Sequence, residues 1–157
     1  MQVAIPSTKI VTKIEANPLL VSRENEYRQL RVAAYCRVST DSDEQLDSYE
    51  AQLAYYTDAI AKNPKWRFAG IYADEGITGT STKKRKEFNR MMNDAYESKF
   101  QMIITKEVSR FSRNILDTIS YTRELKAIGV TVLFMNDAIN TNDPDAELRL
   151  SIMASIA

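Results

Sequence analysis

Short apolar runs alternating with longer amphipathic segments constrain this chain more than any other feature. Val32-Ala33-Ala34-Tyr35-Cys36 is a run of strand type. After it, Leu46, Tyr49, Leu53, Tyr56 and Ile60 recur at spacings of three and four, as a helix with one buried face requires. Asn63-Pro64 stops that helix, since proline cannot continue one. Phe68–Ala73 reads as a second strand, and the polar loop Asp74–Lys84 leads to a helix with Phe88, Met91, Met92 and Ala95 on one face. Met102–Thr105 reads as a third strand. Ile115, Ile119, Thr122 and Leu125 mark the next helix, Gly129 ends it, and Val130–Met135 is a fourth strand. Asp143-Pro144 predicts an N-cap with proline at the first helical position, opening a helix through Leu148 and Ile152. This last helix is still apolar at Ala157, so the domain reads as truncated within it. The pattern predicts an α/β domain: a mostly parallel sheet of about four strands with helices on both faces.

Residues 1–30 differ from the rest. Pro6, Pro18 and the polar stretch Ser22–Glu26 interrupt two short apolar runs, Lys9–Ile14 and Leu19–Val21. They read as an N-terminal extension on a domain covering 31–157. A chain of 157 residues is long enough for one full core. No apolar run approaches the roughly 18 residues of a membrane span, and the N-terminus lacks the core of a signal peptide. The expected location is therefore intracellular, in the cytoplasm, with no membrane partner. Lys+Arg and Asp+Glu balance at 21 each, so net charge gives no reason to expect nucleic acid, although a local basic cluster can hide inside that balance. The single cysteine, Cys36, can form neither an intrachain disulfide nor a zinc site. The absence of histidine is sharper: it excludes Ser-His-Asp hydrolases, His-ligated metals and phosphohistidine chemistry together. Catalysis would have to run on serine, arginine, lysine and carboxylates, with no cofactor expected.

In open α/β sheets, ligands bind outside the carboxyl ends of the strands. The first strand is followed there by Arg37-Val38-Ser39-Thr40-Asp41, the second by Asp74–Ser81, and the third by Lys106–Asn114. Three segments should thus deliver hydroxyls and guanidinium groups to one edge. That combination suggests a phosphate, because guanidinium groups bind phosphate oxygens with paired donors. Several of them around one serine would stabilise both its alkoxide and a pentacoordinate transition state. Arg110 and Arg113, three apart, should project to one side of a helical turn.

Tyr35-Cys36-Arg37-Val38-Ser39-Thr40 resembles the nucleophile segment of the serine recombinases, the resolvase and invertase superfamily. The likeness continues through Glu44-Gln45, Ser48 and Gln52, then Asp74–Ser81 with Lys84-Arg85 and Phe88. It goes on to Ser109-Arg110-Phe111-Ser112-Arg113-Asn114, Phe134, the Asn136-Asp137 turn and the helix from Asp143. A lone Arg-Val-Ser would say little; four ordered segments across 31–157 say much. The resemblance implies a resolvase-like catalytic domain in which Ser39 attacks a DNA phosphodiester, leaving a 5′-phosphoserine link and a free 3′-hydroxyl. It implies that Arg37, Arg110 and Arg113 bind the scissile phosphate and that Arg85 is a further arginine of the site. Gln52 would help position that phosphate, and Asp74 would be an acidic residue close to the nucleophile. Rejoining would need neither ATP nor metal. The implied partners are double-stranded DNA, gripped largely by regions beyond this domain, and copies of the same chain in a dimer or tetramer. The extension before the first strand points to the large serine recombinases, and the apolar last helix to a self-association surface.

One departure concerns Ser109-Arg110, where many family members carry Asp-Arg. Ser109 can donate a hydrogen bond but cannot hold a charge, and it stays among the site residues. Other readings of the same residues are a non-catalytic α/β module with an arginine-lined anion site, and a phosphatase or nucleotidyltransferase using Ser39. A phospho-receiver is disfavoured because Thr105-Lys106 stands where its aspartate would be. Ser39 could instead cap a helix, but Thr40, Asp41 and Ser42 would serve equally well. Gly76 and Gly79 fit neither common nucleotide-binding glycine pattern. Cys36 should face away from Arg37 and Ser39, because side chains alternate along a strand.

Overall fold

A computed structural model describes residues 14–15, 17–19, 28–39, 48–76 and 85–156. Most of the N-terminal extension lies outside the described residues, as do Thr40–Asp47 and Ile77–Lys84. The elements are β1 (Leu30–Val38), α1 (Tyr49–Ala61), β2 (Trp66–Glu75), α2 (Lys86–Tyr96) and β3 (Met102–Thr105). They continue with α3 (Val108–Phe111), α4 (Ile115–Ala127), β4 (Thr131–Phe134), β5 (Ile139–Asn140) and α5 (Ala146–Ile156). Among the described residues, no helix is long and apolar enough to cross a membrane.

The sheet has the order β2-β1-β3-β4-β5. Its first four strands are parallel, and β5 runs antiparallel to β4, with Leu133 opposite Asn140 and Phe134 opposite Ile139. The fifth strand was not expected, because two residues are too short to show a period. β1 pairs with β2 from Leu30–Trp66 to Val38–Glu75, with one register shift between Val32 and Ala33. Gly70 sits at that shift with φ +137°, a conformation open to glycine.

Alternation along β1 builds two cores. Val32, Ala34 and Cys36 meet Met102 and Ile104 of β3 under Tyr56 and Ile60 of α1. Ala33 and Tyr35 face the other way, joining Ile103, Val132 and Phe134 under α2, α4 and α5. The buried face of α2 is as expected: Phe88, Met91, Met92 and Ala95. That of α1 differs. Gln52, Tyr56 and Ile60 are buried, Leu53 is half-buried, and Tyr49 is 45% exposed. The helix starts at Tyr49, capped by the Ser48 side chain on the Ala51 N–H at 3.2 Å, and its buried stripe begins at Gln52. Ser39 therefore does not cap α1; Ser48 does.

Gly129 ends α4 as expected, with φ +82°. The Gly129 N–H reaches the Lys126 carbonyl and the Val130 N–H reaches that of Leu125, a paired closure that needs the left-handed conformation. The last helix begins later than the Asp143-Pro144 reading placed it. Residues 143–145 form a turn in which the Ala146 N–H bonds the Asp143 carbonyl, and the Arg149 N–H then bonds that of Asp145. Proline at the first helical position is replaced by alanine, because Asp143 is held back by its own N–H on the Asn140 carbonyl after β5.

Candidate active site

From β1 the chain steps outward to β2, then returns across β1 to β3. The connections of these neighbouring parallel strands leave towards opposite faces, which opens a crevice outside their carboxyl ends. Ser39 follows β1 directly and is half-buried. Arg37, half-buried, stands opposite Asp74 in the β1–β2 register. Strand alternation puts Arg37 on the same face as Tyr35.

Both carboxylate oxygens of Asp74 are occupied. Oδ1 accepts the Glu87 N–H at 2.9 Å, and Oδ2 accepts the Phe88 N–H at 3.0 Å and the Tyr35 hydroxyl at 2.8 Å. No side chain at the N-cap of α2 satisfies its first amides, so Asp74 caps that helix from a different element. The Tyr35 hydroxyl also accepts from Arg85, at 3.3 Å from Nε and 3.1 Å from Nη2. Burial pushes the Tyr35 phenol up to about 12, outweighing the opposing pull of the Arg85 charge, so the phenol donates to Asp74 as a neutral group.

Arg85 Nη2 also donates to the Phe111 carbonyl at the end of α3, and its guanidinium carbon stands 3.7 Å from the Phe88 ring centroid. One contact network thus connects β1, β2, the start of α2 and the end of α3. It brings together Asp74, Arg85 and the turn that carries Arg110. Arg110 lies exposed on α3 between buried Val108 and Phe111. Arg113 does not share that turn. Ser112 is extended, with φ −152° and ψ 164°, so α3 ends before Arg113 and the three-residue spacing does not put the two on one helical face. Ser109 is exposed, and its hydroxyl donates to the Glu107 carboxylate at 3.2 Å.

On the other side of the sheet, Gln52 is 3% exposed in the first turn of α1. One turn further on, the Tyr56 hydroxyl accepts the Lys106 N–H at 3.0 Å, just past β3. Gln52 is therefore the residue of the buried α1 stripe nearest the carboxyl edge. Cys36 is 2% exposed within the core under α1, and burial pushes its thiol up to about 12. It is a packed, protonated side chain.

Away from this edge, Arg90 pairs with Glu87 and Arg123 with Glu147, whereas Arg31 and Arg149 donate to backbone carbonyls. Arg37 and Arg110 form no ion pair with any described residue. A hydroxyl and two guanidinium groups that pair with no acid among the described residues are suited, at a switch point, to holding a phosphate and stabilising negative charge on it. Sequence reasoning quoted Tyr35 without giving it a role. Its signal was its position two residues before Arg37 on the same strand face. The Phe111 carbonyl left no signal, because a backbone acceptor has no residue type.

An open, mostly parallel sheet of order β2-β1-β3-β4-β5 with helices on both faces defines an open α/β class. Within that class the chain belongs to the family described as Resolvase, N terminal domain, which matches residues 32–157. It is 27% identical over 128 residues to the transposon Tn3 resolvase of Escherichia coli, covering 82% of this chain and 62% of that protein. The chain thus spans less than two thirds of the curated resolvase. Among solved structures it resembles the N-terminal catalytic domain of TP901-1 integrase, with a TM-score of 0.65, 25% identity, and 80% and 93% of the two chains covered. It also resembles a resolvase family site-specific recombinase from Streptococcus pneumoniae, with a TM-score of 0.63, 30% identity, and 82% and 87% covered.

Proposed function

We propose that this chain is the catalytic part of a serine site-specific recombinase that cuts and rejoins double-stranded DNA. The observation that carries the reading is Ser39 at the carboxyl end of β1, with Arg37 at the end of the same strand and Arg110 on the turn after β3, neither of them ion-paired with a described residue. Ser39 Oγ forms a bond to phosphorus as the bond from phosphorus to the 3′ oxygen breaks. The proton lost by Oγ balances the one gained by the 3′ oxygen. The products are a 5′-phosphoserine link and a free 3′-hydroxyl. Rejoining reverses the step on a new partner strand, and the ester retains the energy this needs.

Arg37, Arg110 and Arg113 bind the scissile phosphate, and Gln52 orients it from the buried stripe of α1. Ser109 supplies a hydroxyl beside them. Asp74 and Arg85 belong to the same site and act by holding Tyr35, α2 and α3 in place. The zero net charge of the domain agrees with a protein that grips most of its DNA through another region. The extension at 1–30 favours the large recombinase type. Leu148, Ile152 and Ile156 form an exposed stripe on α5, opposite Ala146 and Leu150, which pack inward. That stripe is the self-association surface for a dimer or tetramer of recombinase.

Covalent trapping tests the reading. The intact protein is mixed with a suicide substrate built from DNA flanking its gene, and the adduct is mapped by mass spectrometry. The expected result is an adduct on Ser39 that Ser39→Ala abolishes. An adduct at another residue, or turnover of small phosphoesters without DNA, would overturn it.

A further inference from the structure

α3 is a single turn, and a helix this short does not hold itself together. Its shape comes from what grips its two ends. At the C-terminal end, Arg85 donates to the Phe111 carbonyl. At the N-terminal end, the Asp137 carboxylate accepts the Val108 N–H at 2.8 Å. These are charge-assisted bonds to backbone groups that a helix end leaves without partners. Arg110 sits between the two grips.

Asp137 is itself held firmly. It lies in the turn joining β4 to β5, which continues the β3–β4 pairing beyond the strands. The Met135 N–H bonds the Thr105 carbonyl at 2.9 Å and the Asn136 N–H bonds that of Lys106 at 2.7 Å. Asn136 Nδ2 reaches the Glu107 carboxylate at 3.3 Å. Arg149 of α5 spans the far side, with Nη1 on the Ala138 carbonyl at 2.7 Å and Nη2 on the Asp137 carbonyl at 3.2 Å. Ala138 has φ +51°, a left-handed conformation that a non-glycine residue keeps only when its surroundings impose it.

From this geometry we infer that Asp137 is a positioning residue for Arg110. Its carboxylate sets where the turn of α3 begins, and so where the guanidinium meets the phosphate, while Arg149 braces Asp137 from α5. The inference rests on the recombinase reading and adds a residue to it that touches neither DNA nor Ser39. It also ties the helix with the exposed apolar stripe to the phosphate site through three consecutive contacts: Arg149 to the turn, Asp137 to Val108, and Val108 to Arg110 along α3.

The test is single-turnover adduct formation by the intact protein on the suicide substrate at saturating DNA. Asp137→Ala should slow the adduct by about tenfold or more while DNA affinity stays within about twofold, since the lost bond is a helix cap and not a DNA contact. Asp137→Asn keeps an oxygen that accepts from Val108 and should recover to within about threefold of wild type. Combined with Arg110→Lys, Asp137→Ala should add little further loss, because both act on one group. Should Asp137→Ala fail to fold by circular dichroism, Arg149→Met carries the test, with an expected slowing of about threefold at unchanged DNA affinity. A wild-type rate in the folded variant, equal losses in Asp137→Ala and Asp137→Asn, or fully additive losses with Arg110→Lys would overturn the inference alone. No adduct with the wild-type protein would remove the recombinase reading and this inference together.

Discussion

Under α1 the sheet is covered mainly by aliphatic side chains, Val32, Ala34, Ile60, Met102 and Ile104, with the single buried ring of Tyr56. The opposite face is aromatic. Phe88 packs edge-on against Tyr35 at 5.3 Å, Phe111 at 5.2 Å and Tyr121 at 4.9 Å, and Phe111 packs against Phe134 at 5.6 Å. Each face reaches the carboxyl edge through a tyrosine hydroxyl, but the two hydroxyls do different things. Tyr56 accepts one backbone N–H, that of Lys106. Tyr35 donates to Asp74 and accepts from Arg85, so it joins two charged groups that in turn hold α2 and α3. The segment after β3 is thus fixed from both faces: the aromatic face ties it to Asp74 and Arg85, while the face under α1 holds it by the Tyr56 hydroxyl and the Tyr55 ring, 4.3 Å from the Lys106 ammonium.

The largest break in that comparison should come from Phe88→Ala. Removing a buried ring costs about 3–5 kcal/mol, and here it also removes the surface on which Arg85 lies. Denaturant titration should show that loss, and adduct formation should fall even where the variant is folded. Ile60→Ala on the other face should cost about 2–3 kcal/mol and leave the adduct rate of the folded protein near wild type. Equal effects of the two on the adduct rate would dissolve the distinction between the faces.

Next come the hydroxyls. Tyr35→Phe leaves Arg85 and Asp74 each short of a buried partner and should cost about 1–3 kcal/mol, whereas Tyr56→Phe loses one neutral bond worth about 1 kcal/mol. A thermal unfolding series on both variants checks the order, and a reversal would mean that the Tyr35 network contributes no more than a single bond.

The smallest effect lies on the outer side of the aromatic face, where Asp94 accepts the Tyr72 hydroxyl at 2.6 Å and Lys99 Nζ at 2.9 Å. Burial alone would raise the Asp94 carboxyl, but these hydrogen bonds and the Lys99 and Arg90 charges outweigh it and hold the carboxyl below its ordinary value. A carboxyl lowered in the folded state stabilises the protein above its unfolded value of about 3.9, and the gain fades as pH falls through the lower folded value. Asp94→Asn should therefore be less stable than wild type at pH 7, and the gap should close on acidification below about pH 4. Exposure of Lys99 and Arg90 to solvent keeps this effect modest. A gap that stays constant from pH 7 to pH 2 would show that the charge of Asp94 contributes nothing.

Much of the fold was legible in the residues because burial writes a period into sequence. The α2 stripe from Phe88 to Ala95, the β3 run Met102–Thr105 and the glycine stop at 129 all appear where spacing put them. Elements too short to show a period, β5 and α3, did not. The stripe of α1 was misjudged at Tyr49 and Gln52 because hydrophobicity alone ranks a tyrosine above a glutamine, whereas position along the helix decides which of them the sheet covers.

The sequence by itself determined the strand order's raw material, the chemistry available without histidine, and the serine and arginines that follow the strands. Those are properties of residue type and local spacing. Only the tertiary structure decided what Asp74, Tyr35, Arg85 and Asp137 bind. Their partners lie 13 to 50 residues away along the chain, among them Glu87, Arg85, Phe111 and Val108. A hydrogen bond between such distant residues depends on how the layers pack, and no local pattern encodes it. The same packing decided that α3 ends at Phe111, so that Arg110 lies on the helical turn and Arg113 beyond it, which their spacing could not show.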